Sequence, residues 1–304
     1  MGEIRQLSTS YVDPETGQVI PVKYYCYLSQ DTQILRCFTT ATSDDIEKTL
    51  EPVTEGPGLY HLWMNPSAFR ELMNWILGKR GAKATYFVAS RVSPVSLDAK
   101  IRPDDKRTIV YYGDDAEDTL NEHEYHYGVI PNTVRMHVPE FGDLQINARG
   151  IFAYFGGDME FLFETSKRAI DLVLRTKKII DSSRVDVVPL KTSDKELELI
   201  HLTPWRIELE RFLDSNEFQE LLQQLEASDF AVYNSIIMEG SLHAESTILD
   251  EIKRTIFTFT ADNHTIYISP RYDSSFESFF RFYQTIVERF DSGARCASQV
   301  EAAE

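Results

Sequence analysis

Along residues 142–181 the apolar positions change period, and the change marks a strand–strand–helix unit. Leu144–Asn147 and Ile151–Phe155 read as short strands around a turn at Arg149–Gly150, and Gly156–Gly157 end the second strand. Beyond them Leu162, Ala169, Val173, Thr176 and Ile180 recur at helical spacing over about six turns. Asp158 is placed to accept from the free N–H groups of the first turn. Glu160 near the start and Lys177 and Lys178 near the end suit the helix dipole.

Strand signals cover Ile4–Val12, Val19–Leu28 and Ile34–Thr40, the first two joined by the turn Asp13-Pro14-Glu15-Thr16-Gly17. Further strands are expected at Leu59–Met64, Ala84–Val92, Thr108–Tyr112, Thr133–Val138, Arg184–Leu190, Glu196–Leu202 and Phe230–Met238. Thr255–Thr260 and Thr265–Ser269 flank a four-residue hairpin loop.

Helices are expected at Thr42–Leu50, capped by Ser43, and at Ser67–Lys79, opened by Asn65-Pro66. Thr203-Pro204 repeats that opening and predicts a helix to about Leu213. Asp214 and Glu217 open another to about Ala227. A capping box from Ser274 to Glu277 opens a last helix over Ser275–Phe290. Its stripe is Phe276, Phe279, Phe280, Tyr283, Ile286, Val287 and Phe290. The Glu51–Gly58 and Ser93–Lys106 segments read as loops, and Gly113–His126 is acidic and poorly periodic.

These elements predict an α+β protein of two modules, each an antiparallel or mixed sheet covered by amphipathic helices. The first module is residues 1–183, ending in the long helix, and the second is 184–291. Residues 292–304 read as a disordered tail. Residues 144–175 and 256–289 share the order strand, turn, strand, cap, helix. Duplication of a module would give that echo, and so would the general frequency of ββα units.

Composition narrows the class. The 304 residues are 42% hydrophobic and 26% charged, with 15 Tyr and 18 Phe, enough for well-packed cores. No run approaches the ~20 apolar residues of a membrane span, and the N-terminal stretch lacks a signal-peptide core. The three cysteines, Cys26, Cys37 and Cys296, have no paired spacing, which suits a reducing compartment. Cys26 and Cys37 are expected to lie close across a hairpin as reduced core thiols. The expectation is a soluble, cytoplasmic protein. A net charge of −17 opposes non-specific attraction to a phosphate backbone and leaves room only for a local basic patch.

Candidate chemistry is sparse. His123 and His126 with Glu122 would supply mixed nitrogen and oxygen ligands for a divalent metal that activates water. The spacing, however, is not the i, i+4 pair of helical zinc sites, and a solvated acidic loop leading into an edge strand explains the segment better. Asp143 followed by Glu164-Thr165-Ser166-Lys167 approaches a metal-nuclease pattern with one residue too many. Gly156-Gly157-Asp158 lacks the spacing of a phosphate-binding loop and puts a carboxylate where the phosphate would sit. Lys167, Arg168, Arg175, Lys177 and Lys178 make one face of the long helix cationic, a docking face for an acidic partner or a nucleic-acid strand unless Glu164 and Asp171 pair with it. Trp63, Trp75 and Trp205 each lie in or beside a capped helix, as core anchors or as an aromatic binding groove.

The reading that follows is a non-catalytic accessory or binding subunit of a multi-protein assembly, needing no cofactor. Its contact residues would be Lys167, Arg168, Arg175, Lys178, Trp63 and Trp205. The alternatives are a metal-dependent hydrolase or nuclease on His123 and His126, and an acidic protein that mimics nucleic acid to block a basic binding site.

Overall fold

Asp13 turns the chain for the first time. Its Oδ1 accepts from the Glu15 amide at 2.8 Å, and Gly17 takes a φ of 67°, a region that glycine enters without a steric cost. Strand β1 (Ile4–Val12) therefore folds back on β2 (Val19–Leu28), in register from Ile4↔Tyr27 to Val12↔Val19, and β3 (Leu35–Phe38) pairs with the far side of β2. Helix α1 (Ser43–Thr49) follows, then a single turn, α2 (Glu51–Thr54). The cap of α1 is Thr42 rather than Ser43, because Asp45 completes a capping box with Thr42. Val22, Tyr24 and Cys26 form the core of this sheet, with Tyr11, Cys37, Ala41, Ile46 and Leu50 packed against them.

The computed structural model describes residues 4–54, 61–91, 108–127, 129–182, 184–191, 196–238, 242–271 and 275–297. They form an α+β protein in two units, Met1–His61 and Leu62–Glu304. The Ser93–Lys106 loop, residues 55–58 of the earlier loop and the Ser274 cap lie outside the described residues. Among the described residues no helix is long and apolar enough to cross a membrane.

The second unit opens with α3 (Pro66–Leu77), whose Asn65 cap accepts from the Ala68 amide and whose proline stands at the first helical position. Then come β4 (Lys83–Arg91), β5 (Thr108–Tyr112), α4 (Ala116–Tyr127), β6 (Val129–Val138), β7 (Gly142–Asn147), β8 (Phe152–Phe155) and α5 (Met159–Asp181). The strands make one antiparallel sheet in the order β5-β4-β6-β7-β8. Its inner face, including Phe87, Val134, Met136, Leu144 and Ile146, is fully buried. Helices α3 and α4 pack on this sheet, and α3 packs on α5. The expected cap of α5 is present: Asp158 accepts from the Glu160 and Phe161 amides.

A separate hairpin follows, β9 (Arg184–Lys191) with β10 (Glu196–Thr203), in register from Glu196↔Lys191 to Thr203↔Arg184. The remaining elements are β11 (Trp205–Glu208), α6 (Ser215–Glu226), β12 (Phe230–Met238), β13 (His243–Asp250), β14 (Thr255–Ala261), β15 (Thr265–Ser269), α7 (Phe276–Arg289) and β16 (Arg295–Ala297). Their strands form an antiparallel sheet in the order β12-β13-β14-β15-β11-β16.

Further expectations are corrected: residues 61–64, the described part of the strand expected at Leu59–Met64, form no strand. Thr203-Pro204 ends one strand and precedes another. Trp205 and Ile207 alternate inward, Arg206 and Glu208 pair outward at 2.8 Å, and β11 bonds to β15, so a period of two replaces the helix. The acidic segment expected to be a loop is helix α4, held by Ala116 and Leu120, both fully buried. Arg295–Ala297, expected in a disordered tail, pairs with β11 from Arg206↔Ala297 to Glu208↔Arg295.

Helix α5 and strand β9, on either side of the expected boundary, both belong to the second unit. Helix α5, from one sheet, packs on α7 and β16 of the other. Trp63 stands edge-on to Phe280 and Tyr283 of α7, at 5.7 and 5.8 Å. On its other side α7 meets its own sheet, with Phe279 and Phe282 edge-on to Phe257 at 5.3 and 5.2 Å. Packing from two sides explains why Phe282, outside the expected stripe, is also fully buried.

Candidate interaction surface

A strand with a period of two sends alternate side chains to opposite faces. In β4 this buries Phe87 and Ala89 and turns Tyr86 and Val88 to the other side, away from the helices. The register then carries one row across all five strands: Tyr112, Tyr86, Arg135, Gln145 and Ala153 are successive cross-strand partners. Phe155 lies diagonally beyond Gln145, opposite Asp143.

The row is aromatic and cationic. The Tyr86 and Tyr112 rings lie 4.5 Å apart, tilted by 40°. The Arg135 guanidinium carbon is 5.7 Å from the Tyr86 ring centre and 5.7 Å from that of Phe155. Its Nε and Nη2 donate to the Gln145 amide oxygen at 3.3 and 3.0 Å. Among the described residues no carboxylate pairs with Arg135. Tyr112 is 72% exposed and Phe155 64%. Burial, followed by the neighbouring Tyr112, raises the Tyr86 phenol above its ordinary range. The adjoining rungs are polar: His137 Nδ1 meets Asp143 Oδ1 at 2.6 Å, and Asn147 donates to Thr133 at 2.9 Å. Such a face offers flat rings to stack on and a guanidinium whose hydrogen bonds go to a neutral amide.

The residues expected from the sequence lie elsewhere. Arg168 and Arg175 on α5 both reach Glu71 of α3, Arg175 through two bonds at 3.1 and 3.4 Å and Arg168 at 3.6 Å, so they bridge two helices. Arg168 also stands 5.3 Å over the Trp75 ring. Lys177 pairs with Asp181 and lies 4.4 Å over Phe276, while Lys167 and Lys178 are exposed on the same helix. Trp63 and Trp205 are buried, at 4% and 0% exposure, and clasp Tyr283 from two directions. Both rings are packed among core aromatics, among them Phe280 beside Trp63 and Phe279 beside Trp205.

His123 and His126 stand on α4. The His123 ring contacts the Thr119 carbonyl at 2.8 Å and faces Phe87, whereas His126 is exposed against Tyr125, and Glu122 is exposed. Among the described residues no three His, Cys, Asp or Glu side chains come together as metal donors. Asp143, the first residue of the nuclease-like pattern, belongs to the pair with His137.

A cavity of about 370 Å³ opens where the first turn of α3 meets α5, α7 and the segment before β16. Asn65, Glu71, Arg175, Tyr283 and Arg295 line it, and several already bond to one another or to the backbone: Glu71 takes Arg175, and the Tyr283 hydroxyl donates to Ala294 O at 3.1 Å. Burial pushes the Tyr283 phenol and the Cys296 thiol at its wall well up, keeping both neutral.

Sequence reasoning missed Tyr86, Tyr112, Arg135 and Phe155. The signal was present in the strand patterns ATYFVASRV and TIVYY, where the outward parity carries rings instead of the usual solvated side chains.

A family model, AF_0896_M, described as a family middle domain, matches residues 70–149. That span holds Tyr86, Tyr112, Arg135 and Gln145; Phe155 lies beyond it. An uncharacterized protein of Archaeoglobus fulgidus is 26% identical over 269 residues, covering 84% of this chain and 73% of the relative. No solved structure matches the chain at a significant level. What this chain resembles is therefore an archaeal protein whose description carries no function, along most of its length.

Proposed function

We infer that this protein is a non-catalytic binding subunit of a multi-protein assembly in the cytoplasm, and that it docks through the open face of the β5-β4-β6-β7-β8 sheet. The observation that carries the reading is Arg135, held between the Tyr86 and Phe155 rings on that face, where among the described residues its guanidinium donates to a neutral amide and to no carboxylate. Tyrosine and arginine are the side chains that most often carry binding energy at protein interfaces, about 2 kcal/mol or more at a central position. The chemistry fits a protein segment that brings a carboxylate to Arg135 and apolar side chains to Tyr112 and Phe155. A nucleic-acid strand would find the same rings, but it would approach a chain of net charge −17.

The test is purification of the tagged protein from its native cell beside an Arg135→Ala/Tyr112→Ala variant, with size-exclusion chromatography and mass spectrometry of each. The expected result is a stoichiometric protein partner on the wild type, lost from the variant while the variant keeps its thermal midpoint. A lone monodisperse species, or a partner that the variant retains, overturns the assignment to this face.

A further inference from the structure

The first unit has little to hold it. Among its described residues the buried apolar side chains are Val22, Tyr24 and Cys26, and the helices are 7 and 4 residues long. A core of that size gives a thin margin over chain entropy, and scaffolds of this size gain most from a cross-link. One is poised there. Cys26 and Cys37 are direct cross-strand partners on β2 and β3, and their sulfurs lie 3.5 Å apart. Opposed residues on antiparallel strands have Cα atoms about 4.5–5.5 Å apart, inside the window of about 4.4–6.8 Å that a disulfide spans. Bond formation needs the sulfurs to close to about 2 Å, a movement of side chains and not of strands.

We propose that Cys26 and Cys37 are a thiol–disulfide site, which a small-molecule disulfide oxidises to a cross-strand bond that staples β2 to β3. The more open Cys37 loses its proton, and its sulfur attacks one sulfur of the reagent, breaking the reagent's S–S bond and releasing one thiolate. Cys26, losing its own proton, attacks the Cys37 sulfur of the mixed disulfide and releases the second thiolate. The two protons go to the two thiolates, so two protein thiols are oxidised and one reagent disulfide is reduced to two thiols. Burial and the neighbouring Cys26 hold the Cys37 thiol up to about 12, so its thiolate is scarce at neutral pH and exchange is slow. Cys296 belongs to the other unit and serves as an internal control.

The experiment treats the full chain with excess oxidised glutathione at mildly alkaline pH, followed by intact mass, thiol counting and peptide mapping. The expected product is about 2 Da lighter than the reduced chain, joins Cys26 to Cys37 in one chain, and retains one free thiol, that of Cys296. Amides of β2 and β3 should then exchange more slowly, and Cys37→Ser should abolish the mass loss. A stable glutathione adduct on Cys37 without the mass loss overturns the proposal, as does a bond to Cys296. So do three free thiols in the folded chain under conditions that oxidise the urea-unfolded one.

Discussion

Tyr11 donates its hydroxyl to Asp45 Oδ1 at 2.7 Å, and the two groups move one another's titration in opposite directions. The Asp45 carboxylate, as hydrogen-bond acceptor, raises the Tyr11 phenol to about 12, while the same bond together with Thr42 lowers Asp45. The signs give a plateau with two edges. A raised phenol contributes stability that is complete below its ordinary value near 10 and is lost as pH rises through about 12. A lowered carboxyl contributes stability that is present above about 4 and is lost as pH falls through its depressed value. Subtracting the ultraviolet absorbance titration of Tyr11→Phe from that of the wild type should therefore leave one tyrosine that ionises near 12. A residual transition near 10 would mean that the bond to Asp45 is not held in solution. Nothing in the sequence spacing announced this pair, because the partners are 34 positions apart and each reads alone as an ordinary surface residue.

Helix boundaries were the most readable elements, since a cap is local chemistry. Asp158, Asn65 and Asp214 were expected to accept from first-turn amides, and each does. The cap of α5 matters most, because that helix links both sheets of its unit. Asp158→Ala leaves the Glu160 and Phe161 amides without their acceptor and should cost about 1 kcal/mol. Urea denaturation measures it, and Asp158→Asn should recover most of the loss; equal losses in both variants would point to charge instead of capping. Elements were unreadable where tertiary packing replaces local signals. Helix α4 carries six acidic or histidine side chains in twelve residues, and the burial of Ala116 and Leu120 holds it on the sheet. Strand β13 was not anticipated, since Ala244, Ser246 and Asp250 on its buried side show no hydrophobic period. The interaction row failed differently: its strands were identified, but only the register shows that Tyr112, Tyr86 and Arg135 stand side by side.

Across the larger unit the two halves repeat one plan. Helix α3, strands β4, β6, β7 and β8 and helix α5 run in the order of α6, strands β12, β13, β14 and β15 and α7, with β5 and α4 inserted after β4. In each half the opening helix packs on the closing one. The echo noticed in the ββα segments is thus part of a longer correspondence. The halves are joined where the closing helices α5 and α7 meet and where Trp63 of the first half packs on α7 of the second. Whether they unfold together can be asked through Asp250 and Arg281. Asp250 is fully buried on β13; it accepts from Arg281 Nε at 3.1 Å and Ser278 Oγ at 2.8 Å of α7, and from the Ile252 and Lys253 amides. Asp250→Ala strands the Arg281 charge, which is 16% exposed, and should cost about 3–5 kcal/mol. If the shared packing makes one cooperative body, hydrogen exchange in this variant should speed up in β6 and α5 as well as in β13, β14 and α7. Loss of protection confined to residues 205–297 would instead make residue 183 a true boundary, with α5 and α7 touching across an interface between two independently folding halves.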